Sequence, residues 1–404
     1  MTNTSPNEIA REVLERCIAG NPPAELPPAL LEDPDGQALF GTLVEGLADR
    51  FEPALCDAYV NLFAQPIAAL LDGLDAGALV DRYRQVRRVR PITAEPQHVF
   101  VLSRITLGAD VAVTSVLLNA AQRRFPKSRI SFVGPRKNFE LMAGDHHVHN
   151  IPVDYRRGGL AQRLAVFSKL QELFAEPGCI VLDPDSRLTQ LGLLPVCPPE
   201  RYYFFESRAY GSETTEPLSA LAASWARETM GVKAKPFIAL NTQALPVSPI
   251  TAYVTASFGV GENPAKRIPD PFEEQLISLL SQTGMQVFID RGAGGEEAER
   301  VRRAAERSGE SVRFWEGSFA GFAALMAGSR LYVGYDSAGQ HAAAACGVPQ
   351  ITVFAGFPVP RMFDRWRTVG KNSRVVRIDP SDQTAEATLP LVRSALQELR
   401  PVVS

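Results

Sequence analysis

The rhythm of apolar positions changes twice along the chain. Up to about residue 92, Leu26, Leu30, Leu31, Leu43, Leu47, Leu62, Leu70 and Leu71 recur without any run of β-branched residues, which is a helical pattern. Asn21-Pro-Pro, Leu26-Pro-Pro and Asp33-Pro-Asp-Gly punctuate it with turns. Acidic residues dominate this stretch until Arg82, Arg84, Arg87, Arg88 and Arg90 arrive together. Such a run forms a solvated helix face, a linker packed on an acidic neighbour, or an anion site.

From residue 98 short β-rich runs alternate with longer helical stretches. His98 to Ser103, Arg129 to Val133, Cys179 to Asp183 and Tyr202 to Phe205 are expected strands; Asp110 to Arg124, Gly159 to Phe174 and Pro217 to Met230 are expected helices. After a stretch rich in turn formers, Asn241 to Pro249, the alternation resumes. Its strands are Ala252 to Phe258, Gln286 to Asp290, Val312 to Trp315, Leu331 to Gly334 and Gln350 to Phe354. Its helices are Pro271 to Gln282, Glu296 to Ser308, Phe319 to Ala327 and Ser337 to Cys346. The expectation is an α/β protein: a helical accessory region over 1–92, a Rossmann-like domain over 93–245, a second over 246–380, and a C-terminal helix over 381–404. Two such domains are expected to face a cleft, with ligands outside the carboxyl ends of the strands.

Composition narrows the function. A hydrophobic fraction of 45% and a charged fraction of 22% are those of an ordinary folded protein. Lys plus Arg (42) nearly balances Asp plus Glu (45), so no global field recruits nucleic acid. The five cysteines are scattered and never in C-x-x-C spacing, which fits a reducing compartment and argues against a zinc site. No apolar run reaches the roughly 18 residues that span a bilayer, and Met1 to Arg16 is too polar for a signal peptide. A cytoplasmic protein without a transmembrane segment is expected, with peripheral membrane contact left open.

Three segments carry chemistry. In Leu331-Tyr-Val-Gly-Tyr-Asp-Ser-Ala-Gly-Gln-His-Ala-Ala-Ala-Ala-Cys-Gly-Val-Pro a strand runs through a polar turn into a helix of small residues. The first turn of such a helix offers unpaired N–H groups and a positive dipole end to phosphate, though Asp336 and Ser337 also suit an N-cap and His341 suits a packed core. In Phe258-Gly-Val-Gly-Glu-Asn-Pro-Ala-Lys-Arg-Ile-Pro a Gly-rich loop containing Gly261 leads to Lys266, a cation able to neutralise a departing diphosphate without a metal. In Val101-Leu-Ser-Arg-Ile-Thr-Leu-Gly-Ala-Asp, Asp110 is expected at the mouth of the cleft, either as a base for an acceptor hydroxyl or as an N-cap. Arg136, Lys137, Arg156, Arg157 and Arg163 form a basic set on the same domain that suits an acidic acceptor or is simply solvated.

From about residue 98 to 380 these segments resemble glycosyltransferase family 9, the bacterial heptosyltransferase-like enzymes. The shared order is R-x-x-x-x-[G]-D, then K-x-x-P before a helix, then D-[ST]-G-x-x-H with the tail A-A-x-x-G-V-P. The resemblance implies a GT-B fold, no metal cofactor, and inverting transfer of a sugar, with heptose a candidate, from a nucleotide diphosphate to a glycan, lipopolysaccharide-type, lipid-linked or protein acceptor. It implies Asp110 as general base and Lys266 as phosphate ligand. Asp336 would hold the donor sugar, with Ser337, Ala338, Gly339 and His341 around the diphosphate. Glu296, in preference to Glu297, would bind the ribose, and Gly317 and Ser318 would line the nucleobase. From the residues themselves, Gly261 is expected on the donor side, and Arg136, Arg156 and Arg157 are the candidates to meet the acceptor. Two glycines depart by one place: Ala109 follows Gly108 where the family has Gly before the aspartate, and Ala338 precedes Gly339. Ile268 stands where the family has tryptophan. The shifted glycines keep open a non-catalytic nucleotide-sugar-binding or interaction protein. Asp183-Pro-Asp185 keeps open a metal-dependent GT-A enzyme; a dinucleotide oxidoreductase and a serine hydrolase lack their glycine spacings.

Overall fold

The computed structural model describes residues 5–240, 252–261, 263–292 and 294–403. Residues 241–249 and the expected boundary at 245 and 246 lie outside the described residues. The described residues of 1–139 and 146–235 form one compact unit, and those of 140–145 and 236–404 form a second.

The first unit is built on a parallel sheet of β1 (His98–Leu102), β2 (Arg129–Gly134), β3 (Val148–Pro152), β4 (Cys179–Asp183) and β5 (Tyr202–Phe204), in the order β3-β2-β1-β4-β5. The chain builds outward from β1 to β3, then returns to the other side of β1, so the loops after β1 and β4 diverge and leave a crevice. β3 escapes the sequence pattern because it is a partly exposed edge strand ending in proline. The expected helix over 159–174 is two helices, Leu160–Leu164 and Phe167–Leu173.

The helical region is no separate appendage. Helices Pro6–Ile18, Pro53–Leu70 and Ala76–Val86, with a π-helical stretch Gln37–Val44, bury Val13, Leu39, Leu43, Phe63, Ile67 and Leu79 in one continuous core with Phe100, Leu102, Val181 and Phe204 of the sheet. The first helix is stopped at its start by a capping box in which Ser5 and Glu8 satisfy each other's backbone N–H groups. The arginine run is packed rather than solvated at three places. Arg82 lies over the Tyr202 ring, Arg90 over the Tyr203 ring, and Arg87 pairs with Asp57 and Glu206.

The second unit repeats the arrangement with β6 (Tyr253–Ser257), β7 (Gln286–Asp290), β8 (Val312–Trp315), β9 (Leu331–Tyr335), β10 (Gln350–Phe354) and β11 (Ser373–Arg377), in the order β11-β10-β9-β6-β7-β8, all parallel. Here the reversal falls between β6 and β9. Central strands such as β9 and β10 are wholly buried and read as apolar runs, whereas the edge strand β11 is too polar to be recognised. The C-terminal helix Ala385–Val403 adds Val392, Leu396 and Leu399 to this unit's core.

No helix among the described residues is long and apolar enough to cross a membrane. Because the helical region shares its core with the first sheet, Phe63→Ala, which empties a fully buried site stacked on Tyr59, should cost about 3–5 kcal/mol. Thermal melting followed by hydrogen exchange should show the helices and β1–β5 loosening together; loss of the helices alone would contradict a shared core.

Candidate functional site

In the first unit Asp110 sits one turn inside the helical segment that opens at Leu107, so it is not an N-cap, and it is fully buried rather than open at a mouth. Its carboxylate accepts four hydrogen bonds: Ser103 Oγ at 2.7 Å, the Arg104 backbone N–H at 2.7 Å, Thr114 Oγ1 at 2.7 Å and Asn138 Nδ2 at 2.5 Å. Burial pushes the carboxyl up from its usual range, and the bonds from Asn138, Ser103, Thr114 and Arg104 pull it back. Four donors fill the lone-pair positions of a carboxylate. A substrate hydroxyl therefore reaches Asp110 only in exchange for one of them.

The turn that delivers these donors is strained. Ile105, β-branched, has φ of 76°, and the loops after β4 hold Asp185, Gln190 and Leu191 at 72°, 50° and 56°. Each such residue costs about 1–3 kcal/mol and persists only where its surroundings enforce it, and strain of this kind collects at functional sites. Gly108 and Ala109 fit within the same turn, with Ala109 buried.

The D-x-D pair is committed internally. Asp183 takes bonds from the Ser186 N–H, Thr189 Oγ1 and Tyr202 OH, and burial pushes it up to about 6. Asp185 is locked to the buried Arg208 guanidinium. Neither carboxylate is turned outward to a cation. Of the basic set, Arg136, Lys137, Arg156 and Arg157 are exposed, while Arg163 is buried against the Phe40 ring and donates to Gly158 O and Tyr155 Oη, which withdraws it from any acceptor face.

In the second unit the loop after β6 and the turn after β9 bring Lys266 and Asp336 together. Lys266 Nζ lies 2.7 Å from Asp336 Oδ2 and 3.2 Å from Asp336 O, with Asp336 buried. Gln340 donates to the other carboxylate oxygen. The lysine turn is itself held: Asn263 caps it, and Gln383 Nε2 donates to Ala265 O and Arg267 O. Ile268, in place of tryptophan, is buried in the core. The helix Ala338–Cys346 then starts with Ser337 at its N-cap position, yet the Ser337 side chain makes no capping bond. The first-turn N–H groups are thus left without a side-chain acceptor, and the capping reading of Asp336 and Ser337 loses its support. His341 is buried edge-on to Trp366, and burial drives its imidazole down to about 4, so it is neutral at pH 7.

The displaced glycine has a steric cause. The fully buried Tyr332 ring runs along β9 over Gly334 and reaches the helix start. A Cβ on Gly339 would stand 1.9 Å from Tyr332 Oη, and one on Gly334 would stand 2.3 Å from it. Gly339 makes room for Tyr332, and Ala338, half-buried, presents its methyl beside the turn. Tyr332 was legible in the sequence only as a strand residue; an aromatic two places before a glycine on one strand face is the signal that was available.

The residues expected to contact the nucleotide lie around the ends of β6, β7 and β8 in different settings. Glu296 is exposed, whereas Glu297 turns inward until its Oε1 would meet a Cβ on Gly292 at 1.7 Å and one on Gly259 at 3.0 Å. Asp290 lies close by and is pushed up to about 6, first by burial. Gly317 is exposed, and Ser318 caps the helix Phe319–Ala327. The half-exposed Trp315 ring, unforeseen from the sequence, packs on Gly317 and Gly321 and donates to Ser318 O. Gly261 adopts φ of 64° with nothing near its Cβ position.

A Gly339→Ala chain should lose about 1–3 kcal/mol of stability from overpacking against Tyr332. Tyr332→Val in the same chain should restore most of the loss. Thermal melts of the two single variants and the double variant measure the coupling; additive losses would rule it out.

The family model for glycosyltransferase family 9 (heptosyltransferase) matches residues 201–388, which include Lys266 and Asp336 but not Asp110. Lipopolysaccharide heptosyltransferase 1 of Escherichia coli O18:K1:H7 (strain RS218 / NMEC) is 31% identical over 133 residues, 33% of this chain and 39% of that protein. Its counterpart in Escherichia coli strain K12 is 33% identical over 112 residues, 28% of this chain and 34% of that one. The chain thus spans well under half the length of the curated relatives it matches. Among solved structures, the E. coli heptosyltransferase WaaC with ADP superposes with a TM-score of 0.56 at 19% identity over 74% of this chain and 99% of that one. The family 9 glycosyltransferase from Veillonella parvula DSM 2008 gives 0.57 at 15% over 76% and 99%. Both show the same GT-B-like pair of parallel α/β sheets. Residues 201–388 thus match the glycosyltransferase family 9 (heptosyltransferase) model, and the described residues carry a GT-B-like fold with an N-terminal helical region.

Proposed function

We propose that the chain is an inverting, metal-independent glycosyltransferase that takes a sugar from a nucleotide diphosphate. The observation that carries this reading is the Lys266–Asp336 pair beside a helix start whose N–H groups lack a side-chain cap. A lysine already held in place neutralises charge on a leaving diphosphate without reorganising, and the helix amides add to it. Asp336, with one oxygen on Lys266 and the other on Gln340, is oriented to accept from a sugar hydroxyl. Glu297 takes the ribose in this reading, replacing Glu296, and Trp315 with Gly317 and Ser318 lines the base. The E. coli relative is solved with ADP and with ADP-2-deoxy-2-fluoro heptose, which makes ADP-heptose the first donor to test here.

On the acceptor side, a hydroxyl passes its proton to the Asp110 carboxylate as its oxygen attacks the anomeric carbon. The bond from that carbon to the diphosphate oxygen breaks with inversion. A carboxyl raised by burial is a stronger base than an exposed one, which suits the role. Arg136, Arg156 and Arg157 supply exposed positive charge for an acidic, lipopolysaccharide-type acceptor. A cytoplasmic site of action, with peripheral contact to a membrane-held acceptor, completes the proposal; the cysteines among the described residues are all free thiols.

A second reading, a nucleotide-sugar-binding protein without turnover, is favoured by one fact: the four donors that saturate Asp110. Asp110→Asn separates the two. As an enzyme, the variant should lose about 10² to 10⁴ in kcat with donor affinity unchanged, while Lys266→Ala should weaken ADP binding and turnover together. ADP binding with no turnover in the parent chain would select the second reading. Transfer should also proceed undiminished in EDTA; activity lost in chelator and restored by manganese would overturn the metal-independent assignment.

A further inference from the structure

The loops around Asp110 do not hold their own shape. Of the five non-glycine residues with left-handed φ among the described residues, four, Ile105, Asp185, Gln190 and Leu191, lie on the loops after β1 and β4. The carbonyls of this strained stretch are captured from outside it. Tyr59 Oη, on the helix Pro53–Leu70, donates to Gln190 O at 3.1 Å, and Arg82 Nη1, on the helix Ala76–Val86, donates to Gly192 O at 3.2 Å.

A buried polar path continues inward from the same helices. Arg87 and the Tyr83 hydroxyl both donate to Glu206, and Arg208 Nη2 donates back to Tyr83 Oη at 3.4 Å. Arg208 is paired with Asp185 through two nitrogens and reaches Leu191 O at 3.2 Å. Ser207 Oγ donates to Asp185 at 2.9 Å while accepting from Arg104 Nη1 at 2.6 Å, and the Arg104 backbone N–H donates to Asp110 at 2.7 Å. Tyr83 and Ser207 each give their one proton and accept another, so the donors run outward from Arg208 and Arg104 onto the carboxylates of Glu206, Asp185 and Asp110.

Apolar packing alone would have fixed the helices to the sheet. Buried ions are a poor means of gaining stability, but they enforce one geometry. We infer that the N-terminal helical region is a positioning element for the acceptor half of the site: Tyr59, Arg82, Tyr83 and Arg87 hold the strained loop 183–192 and, through Arg208, Ser207 and Arg104, the carboxylate of Asp110. None of the four touches reacting atoms; they act through the loop. The inference rests on the role given to Asp110 above.

The test uses the full chain with Tyr83→Phe and Tyr59→Phe, each of which removes only a hydroxyl, and Arg84→Ala, an exposed change on the same helix, as control. Hydrogen exchange should rise about two- to tenfold, the worth of one buried hydrogen bond, over residues 103–110 and 183–192, and stay unchanged over 331–346. Transfer from ADP-heptose should show kcat lowered by a similar factor with donor KM and ADP affinity unaltered. Arg87→Gln should behave likewise and Arg87→Lys should recover part of the loss. Exchange that rises only within 53–86, or a kcat that matches the parent, would overturn the inference. Failure of the parent chain to bind ADP would instead defeat the donor assignment, and the exchange pattern would still decide this one.

Discussion

A parallel sheet that grows outward from one strand and then restarts on its other side must part the loops at its starting strand. Both sheets of this protein do so, at β1 and β4 in the first unit and at β6 and β9 in the second. The placement of the buried charged groups follows from that constraint. Asp110 and the Asp183–Asp185 pair occupy the first divergence, and Lys266 and Asp336 occupy the second. At such a point backbone N–H groups of helix starts converge with loop side chains, which is why polar and charged groups gather there within otherwise apolar units.

The two divergences solve the resulting electrostatic problem differently. In the second, a buried carboxylate is matched by a single lysine, leaving the helix amides nearby without a side-chain partner. A ligand with its own negative charge can then share Lys266 and take the amides without displacing any capping group, so little reorganisation opposes binding. In the first, every acceptor position on Asp110 is taken. That arrangement orients the carboxylate tightly at the expense of reach. The two carboxylates are thus set in opposite senses, Asp110 saturated by four donors and Asp336 held by Lys266 and Gln340 beside uncapped helix amides.

How much was legible in the sequence depended on whether a signal was local. The strand, turn and small-residue helix around Asp336 are consecutive, so their arrangement could be read directly, as could the helices over the N-terminal region. Glu296 and Glu297 are one place apart and differ only in helical phase, about 100° of rotation, which pattern cannot assign without knowing where the sheet lies. The placement of Gly339 depends on Tyr332, seven residues earlier on a strand, and the saturation of Asp110 depends on Asn138 beyond the next strand. Arg163 looked like its exposed neighbours because nothing adjacent announces Phe40 as its partner. Edge strands β3 and β11 lack the continuous apolar run of buried strands.

The helical region was the least interpretable stretch, since it carries no motif, and its meaning is collective. A five-stranded parallel sheet leaves the ions Asp185, Glu206 and Arg208 near its carboxyl end, where water would screen and loosen them. Covering that end with an apolar layer alone would exclude the water but strand the charges, at a cost of several kcal/mol for each unpaired ion. The helices do both at once: Leu39, Leu43 and Phe63 seal the core while Tyr83 and Arg87 complete the hydrogen bonding of Glu206 and Arg208. The Tyr83 and Arg87 side chains therefore link the packing of residues 53–87 to the strained loops beside Asp110. A region without chemistry of its own becomes part of the site's geometry, because the groups it satisfies are the ones that keep a strained turn in a single shape.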